Sequence, residues 1–187
     1  TKMKKINIAI DGPSGVGKST IADIVAEKLN MRHLDTGAMY RCVAYKTLKD
    51  GVNIQDEKAM SDLMDTIDIH FDEDNHVYLD GEDVSKCASK GFIVDGRDIC
   101  SVVLPDAEVK IFMSASSKAR AQRRYDEYIS KGIDADYETI YQDIVARDYQ
   151  DMHREISPLV KTEDAIEIDT SDLTIDEVVS KVLDIVG

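Results

Sequence analysis

A lysine followed directly by a hydroxyl, Lys18-Ser19, closes the glycine-rich run Gly12-Pro13-Ser14-Gly15-Val16-Gly17-Lys18-Ser19-Thr20. The spacing is G-x-x-x-x-G-K-[ST], and these residue types suit one task, holding a chain of phosphates. A loop that wraps a phosphate turns its backbone N–H groups inward, and glycines keep side chains out of the way. A helix starting next to Lys18 aims its free N–H groups, and the positive end of its dipole, at the same anion. Lys18 then reaches the β- and γ-phosphates, and the Ser19 hydroxyl is placed to ligate Mg2+.

Other charged residues fall at positions where a second phosphate would need them. Asp95-Gly96-Arg97-Asp98 ends the apolar run Phe92-Ile93-Val94. An acidic residue at such a strand tip, Asp95, suits a partner that holds the ligands of Mg2+ from behind, and Arg97 can grip a phosphate with its planar fork. Leu34-Asp35-Thr36-Gly37-Ala38-Met39-Tyr40-Arg41 opens another helix. Two readings stand for it: a helix N-cap with a buried Tyr40, or a pocket lined by Thr36 and Tyr40 in which Arg41 holds a phosphate. Arg120, Arg123 and Arg124 share one helix face, and Arg147, Asp151 and Arg154 share another. Two such helices joined through Gly132 read as a lid whose arginines meet the charge of a phosphoryl transition state. For any single arginine, a solvated face with ion pairs is the competing reading. His33, His70, His76 and His153 are scattered and read as structural or surface residues.

The elements that must position these residues alternate. Strands are expected near 5–10, 32–34, 92–95, 109–113 and 165–168. Helices are expected near 20–29, 37–49, 57–64, 118–131, 137–154 and 174–186, and a small hairpin over 67–71 and 77–79. This alternation predicts an α/β fold: a parallel sheet flanked by helices in three layers, with the ligand at the carboxyl ends of the strands. The 187 residues suffice for one such domain. No apolar run approaches membrane-spanning length, no signal-type stretch opens the chain, and Cys42, Cys87 and Cys100 read as cytosolic thiols. A net charge of -14 excludes nucleic acid as a bulk partner, which makes the arginines near the glycine loop a local anion site.

Taken together, the motifs resemble those of bacterial cytidylate kinases, a nucleoside monophosphate kinase family. The glycine run from Ile10 to Thr20, Leu34 to Arg41 and Asp95 to Asp98 carry the resemblance. It continues through Val102-Val103-Leu104-Pro105-Asp106-Ala107, Arg120 to Arg124, Arg147-Asp148-Tyr149, His153 to Leu159 and Ile168-Asp169-Thr170. The resemblance implies a cytoplasmic, monomeric enzyme that moves the γ-phosphoryl group of ATP to CMP or dCMP with Mg2+. It implies ATP on Gly12, Pro13, Ser14, Gly15, Val16, Gly17, Lys18, Ser19 and Thr20. It places the CMP phosphate on Arg41, Arg97 and Arg147 with Thr36 and Tyr40 nearby, cytosine against Asp98 and Arg154, and ribose on Asp151. Lys18, Arg97, Arg123 and Arg147 would carry catalysis, with Arg123 and Arg124 in the lid. The implied layout is a core over 1–36, 92–119 and 155–187, a monophosphate-binding subdomain over 37–91 and a lid over 120–154.

Two departures accompany the resemblance. Cys100-Ser101 stands where the family has Gly-Thr, which is expected to alter the turn. Between Leu79 and Phe92 only about a dozen residues connect a peripheral hairpin to a core strand, too few for the crossover a parallel strand needs. The family carries roughly 35 more residues there, within the monophosphate-binding subdomain. The shortfall reads as a segment left out of the chain. A true deletion would instead weaken discrimination for cytosine. Two alternatives are a P-loop kinase for UMP or a non-nucleotide acceptor, and a nucleotide-binding module without transfer activity if the deletion is real.

Overall fold

Ile8, Ala9 and Ile10 are completely enclosed in strand β1 (Asn7–Asp11), so both faces of this strand must be covered. A computed structural model shows how. It describes residues 6–36, 43, 46–47, 50–53, 56–71, 77–83 and 92–187. Five strands form one sheet: β1, β2 (Arg32–Asp35), β6 (Phe92–Gly96), β7 (Val109–Ser114) and β8 (Ile166–Asp169). Their order is β2-β6-β1-β7-β8, and every neighbouring pair is parallel. This is the parallel, helix-flanked sheet expected from the alternation of elements.

The two-residue period of a strand assigns the faces. Ile8 and Ile10 pack with Ile93, Ile111 and Met113 against helix α1 (Lys18–Leu29) and the C-terminal helix α5 (Ile175–Val186). Ala9 and Val94 point the other way and meet Ile99 and Cys100. Helix α1 stops at Asn30, whose left-handed backbone (φ 52°) returns its N–H to Ala26 and Glu27. Helix α5 starts with a reciprocal capping box between Thr174 and Glu177. Helices α3 (Ser117–Ser130) and α4 (Tyr137–His153) pack on each other through Ala121, Ile140 and Ile144. Gly132, just past α3, takes a left-handed φ of 70°. A separate antiparallel sheet, β3 (Ile69–Phe71), β4 (Val77–Leu79) and β5 (Glu82–Asp83), follows helix α2 (Glu57–Thr66). Its third strand extends the expected hairpin. The helix expected over 37–49 falls largely outside the described residues.

Register aligns the strand ends that matter. Asp95 pairs with Ile10 on one side and Asp35 on the other, and Gly96 pairs with Asp11. The loops after β1, β2 and β6 therefore leave the sheet at one level, on one edge.

Candidate active site

The glycine loop leaves β1 against a neighbouring backbone. A Cβ at Gly12 would lie 2.1 Å from the Met113 carbonyl oxygen, so only glycine fits there. Gly17 precedes helix α1 with φ 94°, a left-handed conformation that glycine adopts without strain. No side chain caps the N-terminus of α1, which leaves its first N–H groups available to an anion. Lys18 folds back across the loop and its Nζ donates to the Pro13 carbonyl oxygen at 2.9 Å. Burial, and then the charge of Arg97, lower its pKa to about 8, against the pull of Asp95, Asp11 and Asp151.

Facing the loop, the end of β6 anchors a hydrogen-bonded chain. Ser19 Oγ donates to Asp95 Oδ2 at 3.0 Å, and His33 Nε2 meets Asp95 Oδ1 at 2.7 Å. His33 Nδ1 meets Asp23 Oδ1 at 2.6 Å. Two carboxylates on one imidazole call for both ring N–H groups, hence the imidazolium. Burial pulls the His33 pKa down, but the hydrogen bonds to Asp95 and Asp23 outweigh it and hold the pKa above its ordinary value. Thr36 Oγ1 donates to the Asp95 carbonyl oxygen at 2.7 Å. Arg97 Nε donates to Asp151 Oδ2 at 3.1 Å.

These groups enclose a cleft of about 370 Å3. The loop and α1 line it with Ser14, Gly15, Gly17, Lys18, Ser19 and Thr20. The opposite wall carries Thr36, Asp95, Gly96 and Arg97, and Arg147 comes in from α4. Three cationic side chains thus converge in one cleft of a chain with net charge -14. Such a site suits polyanionic ligands. The Ser19 hydroxyl and the Asp95 carboxylate are hard oxygen donors side by side. No group of three or more acidic, histidine or cysteine side chains among the described residues forms a metal cage. That donor set suits Mg2+, which keeps waters and substrate oxygens as ligands.

Comparison with known proteins decides the family. The family model for cytidylate kinase matches residues 8–90 and 86–187. The chain belongs to the cytidylate kinase family. A cytidylate kinase of Bacillus velezensis is 44% identical over 217 aligned positions, covering 98% of this chain and 97% of that protein. One from Ligilactobacillus salivarius is 41% identical over 218 positions, with the same coverage of both. A solved shikimate kinase from Bacteroides thetaiotaomicron is similar in fold, with a TM-score of 0.56 at 13% identity over 97% of this chain and 98% of that one. The chain is accordingly a phosphotransferase of the ATP-using kinase class.

Against these cytidylate kinases the chain is short in one place. The alignments run over 217 or 218 positions against a chain of 187 residues, and the family match breaks at residues 86–90. The relatives thus carry residues at this point that the 187-residue sequence, running unbroken from residue 79 to 92, does not, which is where the sequence reading found the connection too short. The second departure is absorbed locally. Cys100 is buried with its thiol 3.6 Å from the Ala9 carbonyl oxygen, and its backbone does not take the positive φ that would demand glycine. Burial, then the charge of Asp11, push this thiol far above its ordinary pKa, which makes it unreactive.

The expected site residues divide into groups. Lys18, Ser19, Thr36, Asp95, Arg97 and Arg147 converge in the cleft, with Asp151 bound to Arg97. Gly12, Pro13 and Val16 shape the loop from behind, Val16 from within the core. Arg123 turns to the carbonyls of Thr170 and Ser171. Arg154 turns to the Ser157 carbonyl. Tyr40 and Arg41 lie outside the described residues. Arg120, read with the lid arginines, is 3% exposed and makes a two-pronged ion pair with Asp148, while also donating to the Ser14 carbonyl at 3.1 Å. His33 and Asp11 were missed as site residues. Their partners lie 62 and 88 positions away in the chain, beyond any local pattern.

Proposed function

We propose that the chain transfers the γ-phosphoryl group of ATP to the 5′-phosphate of CMP or dCMP. The convergence of Lys18 and Ser19 on one wall of the cleft with Arg97 and Arg147 on the other carries this assignment, because a donor and an acceptor phosphate each need their own cations. Gly12 to Thr20 take the ATP phosphates through backbone N–H groups, the α1 N-terminus and Lys18. Ser19 holds Mg2+, with Asp95 behind it, and Mg2+ supplies charge neutralisation between the phosphates when bound. Arg97 and Arg147, with Arg41, hold the acceptor phosphate, and Thr36 and Tyr40 border it. Asp98 and Arg154 face the base and Asp151 the ribose. The arginines, Arg123 among them, meet charge on the transferred group, so catalysis is positioning and electrostatic stabilisation. Residues 37–91 form the acceptor-binding part and 120–154 the lid on a core of 1–36, 92–119 and 155–187. No helix among the described residues is long and apolar enough to cross a membrane, and a cytoplasmic monomer fits this role.

The test is a coupled assay for ADP with Mg2+·ATP across CMP, dCMP, UMP and AMP. CMP and dCMP are expected to support turnover well above the other two. Tight ATP binding with no product from any acceptor would contradict the assignment.

A further inference from the structure

The acceptor loop is capped by a residue from the donor strand. Asp11, the last residue of β1, is fully buried. Its Oδ1 accepts the Ile99 N–H at 2.9 Å and its Oδ2 accepts the Cys100 N–H at 2.7 Å. Those two N–H groups open the single wide helical turn Ile99–Val103, whose amide–carbonyl bonds join residues five apart: Val103 to Asp98 and Leu104 to Ile99. The residue at the N-cap of that turn is Asp98, and an aspartate there normally turns its own carboxylate onto the N–H groups two or three residues on, Cys100 and Ser101. Asp98 does not. It makes no side-chain cap bond, and among the described residues its carboxylate has no hydrogen-bond partner. Asp11 has taken the capping work from the neighbouring strand. Asp98 is left half-exposed, next in the chain to Arg97, which lines the cleft.

We propose that Asp11 is a positioning residue for acceptor recognition: by capping the 99–103 turn from β1, it frees the Asp98 carboxylate for the acceptor base. This rests on the acceptor assignment proposed above. The same contact ties the first residue before the glycine loop to the first turn after Arg97-Asp98, so donor and acceptor loops share one anchor. Replacing that carboxylate by an amide leaves one acceptor oxygen for two N–H groups and sets an NH2 against the other, and Asp98, the N-cap residue of the turn, is placed to turn back onto the N–H left uncapped.

Calorimetric titration of CMP and of ATP tests this without requiring turnover. The chains compared are the wild type, Asp11→Asn, Asp98→Ala and the double variant. Asp11→Asn is expected to weaken CMP about tenfold and leave ATP within about twofold, and the double variant is expected to bind CMP no worse than Asp98→Ala alone. Equal weakening of ATP and CMP by Asp11→Asn, or additive losses in the double variant, would overturn the role of Asp11 while leaving the acceptor site standing. An Asp98→Ala chain that binds CMP as the wild type does would overturn the acceptor assignment of Asp98 and this inference with it. Amide exchange in the wild type needs no variant. Ile99 and Cys100 N–H groups are expected to exchange as slowly as those of β1, and loop-like exchange would overturn the cap.

Discussion

Lys18 holds its ammonium against the Pro13 carbonyl with 6% of its surface exposed, in a setting that lowers its pKa to about 8. The sign of the consequence follows from which form binds phosphate. Below about pH 8 the side chain is charged and ready for an anion. Above it, the free chain must take up a proton to bind. ATP affinity is therefore expected to fall about tenfold from pH 7 to pH 9, measured by titration at fixed Mg2+. A flat profile over that range would contradict the role of Lys18. The stability effect runs the opposite way. Between about pH 8 and the ordinary lysine range the unfolded chain holds more protons, so this group makes the fold more stable as pH rises. Lys18→Ala removes a buried charge, so the variant is expected to fold and to lose turnover by about a hundredfold or more. Arg97→Ala is expected to lose a comparable factor, mainly through the acceptor. Near-normal turnover in steady-state assays of either would refute its role.

At the scale of elements, the sheet edge does the positioning. The register of β1, β2 and β6 brings the loops at Gly12, Thr36 and Asp95 together at one edge; that such loops gather at the carboxyl ends of parallel strands was legible in the sequence, while the strand order and register were not. The apolar runs 6–10 and 92–94 and the glycine spacing carry their own local patterns. What was not legible lies between elements. Arg120 has the spacing of a phosphate-facing lid arginine, yet packing turns it inward to Asp148 on α4 and to the Ser14 carbonyl of the loop. Helical periodicity tells which residues share a face, not what that face meets. His33 and Asp11 escaped for the same reason. The tie through Arg120 makes α4, and with it Arg147, depend on the glycine loop. Arg120→Ala leaves the largely buried Asp148 without its partner. The variant is expected to lose about 3 kcal/mol of stability in denaturant unfolding, well beyond an exposed ion pair. A loss under about 1 kcal/mol would show that α4 is held by its apolar contacts alone.

For the whole molecule, an acidic chain carries a cationic cleft, and the chain is shorter than its aligned cytidylate kinase relatives within the part proposed to bind the acceptor. A shorter acceptor part offers fewer groups to tell cytosine from uracil. The ratio of kcat/KM for CMP over UMP is expected to be about tenfold narrower than that of the Bacillus velezensis relative assayed alongside, and equal ratios would contradict this. The central claim is the transfer itself. Incubation with Mg2+·ATP and CMP, followed by quantitative separation of the nucleotides, is predicted to give one CDP for every ADP formed. ADP accompanied by free phosphate and no CDP would contradict it.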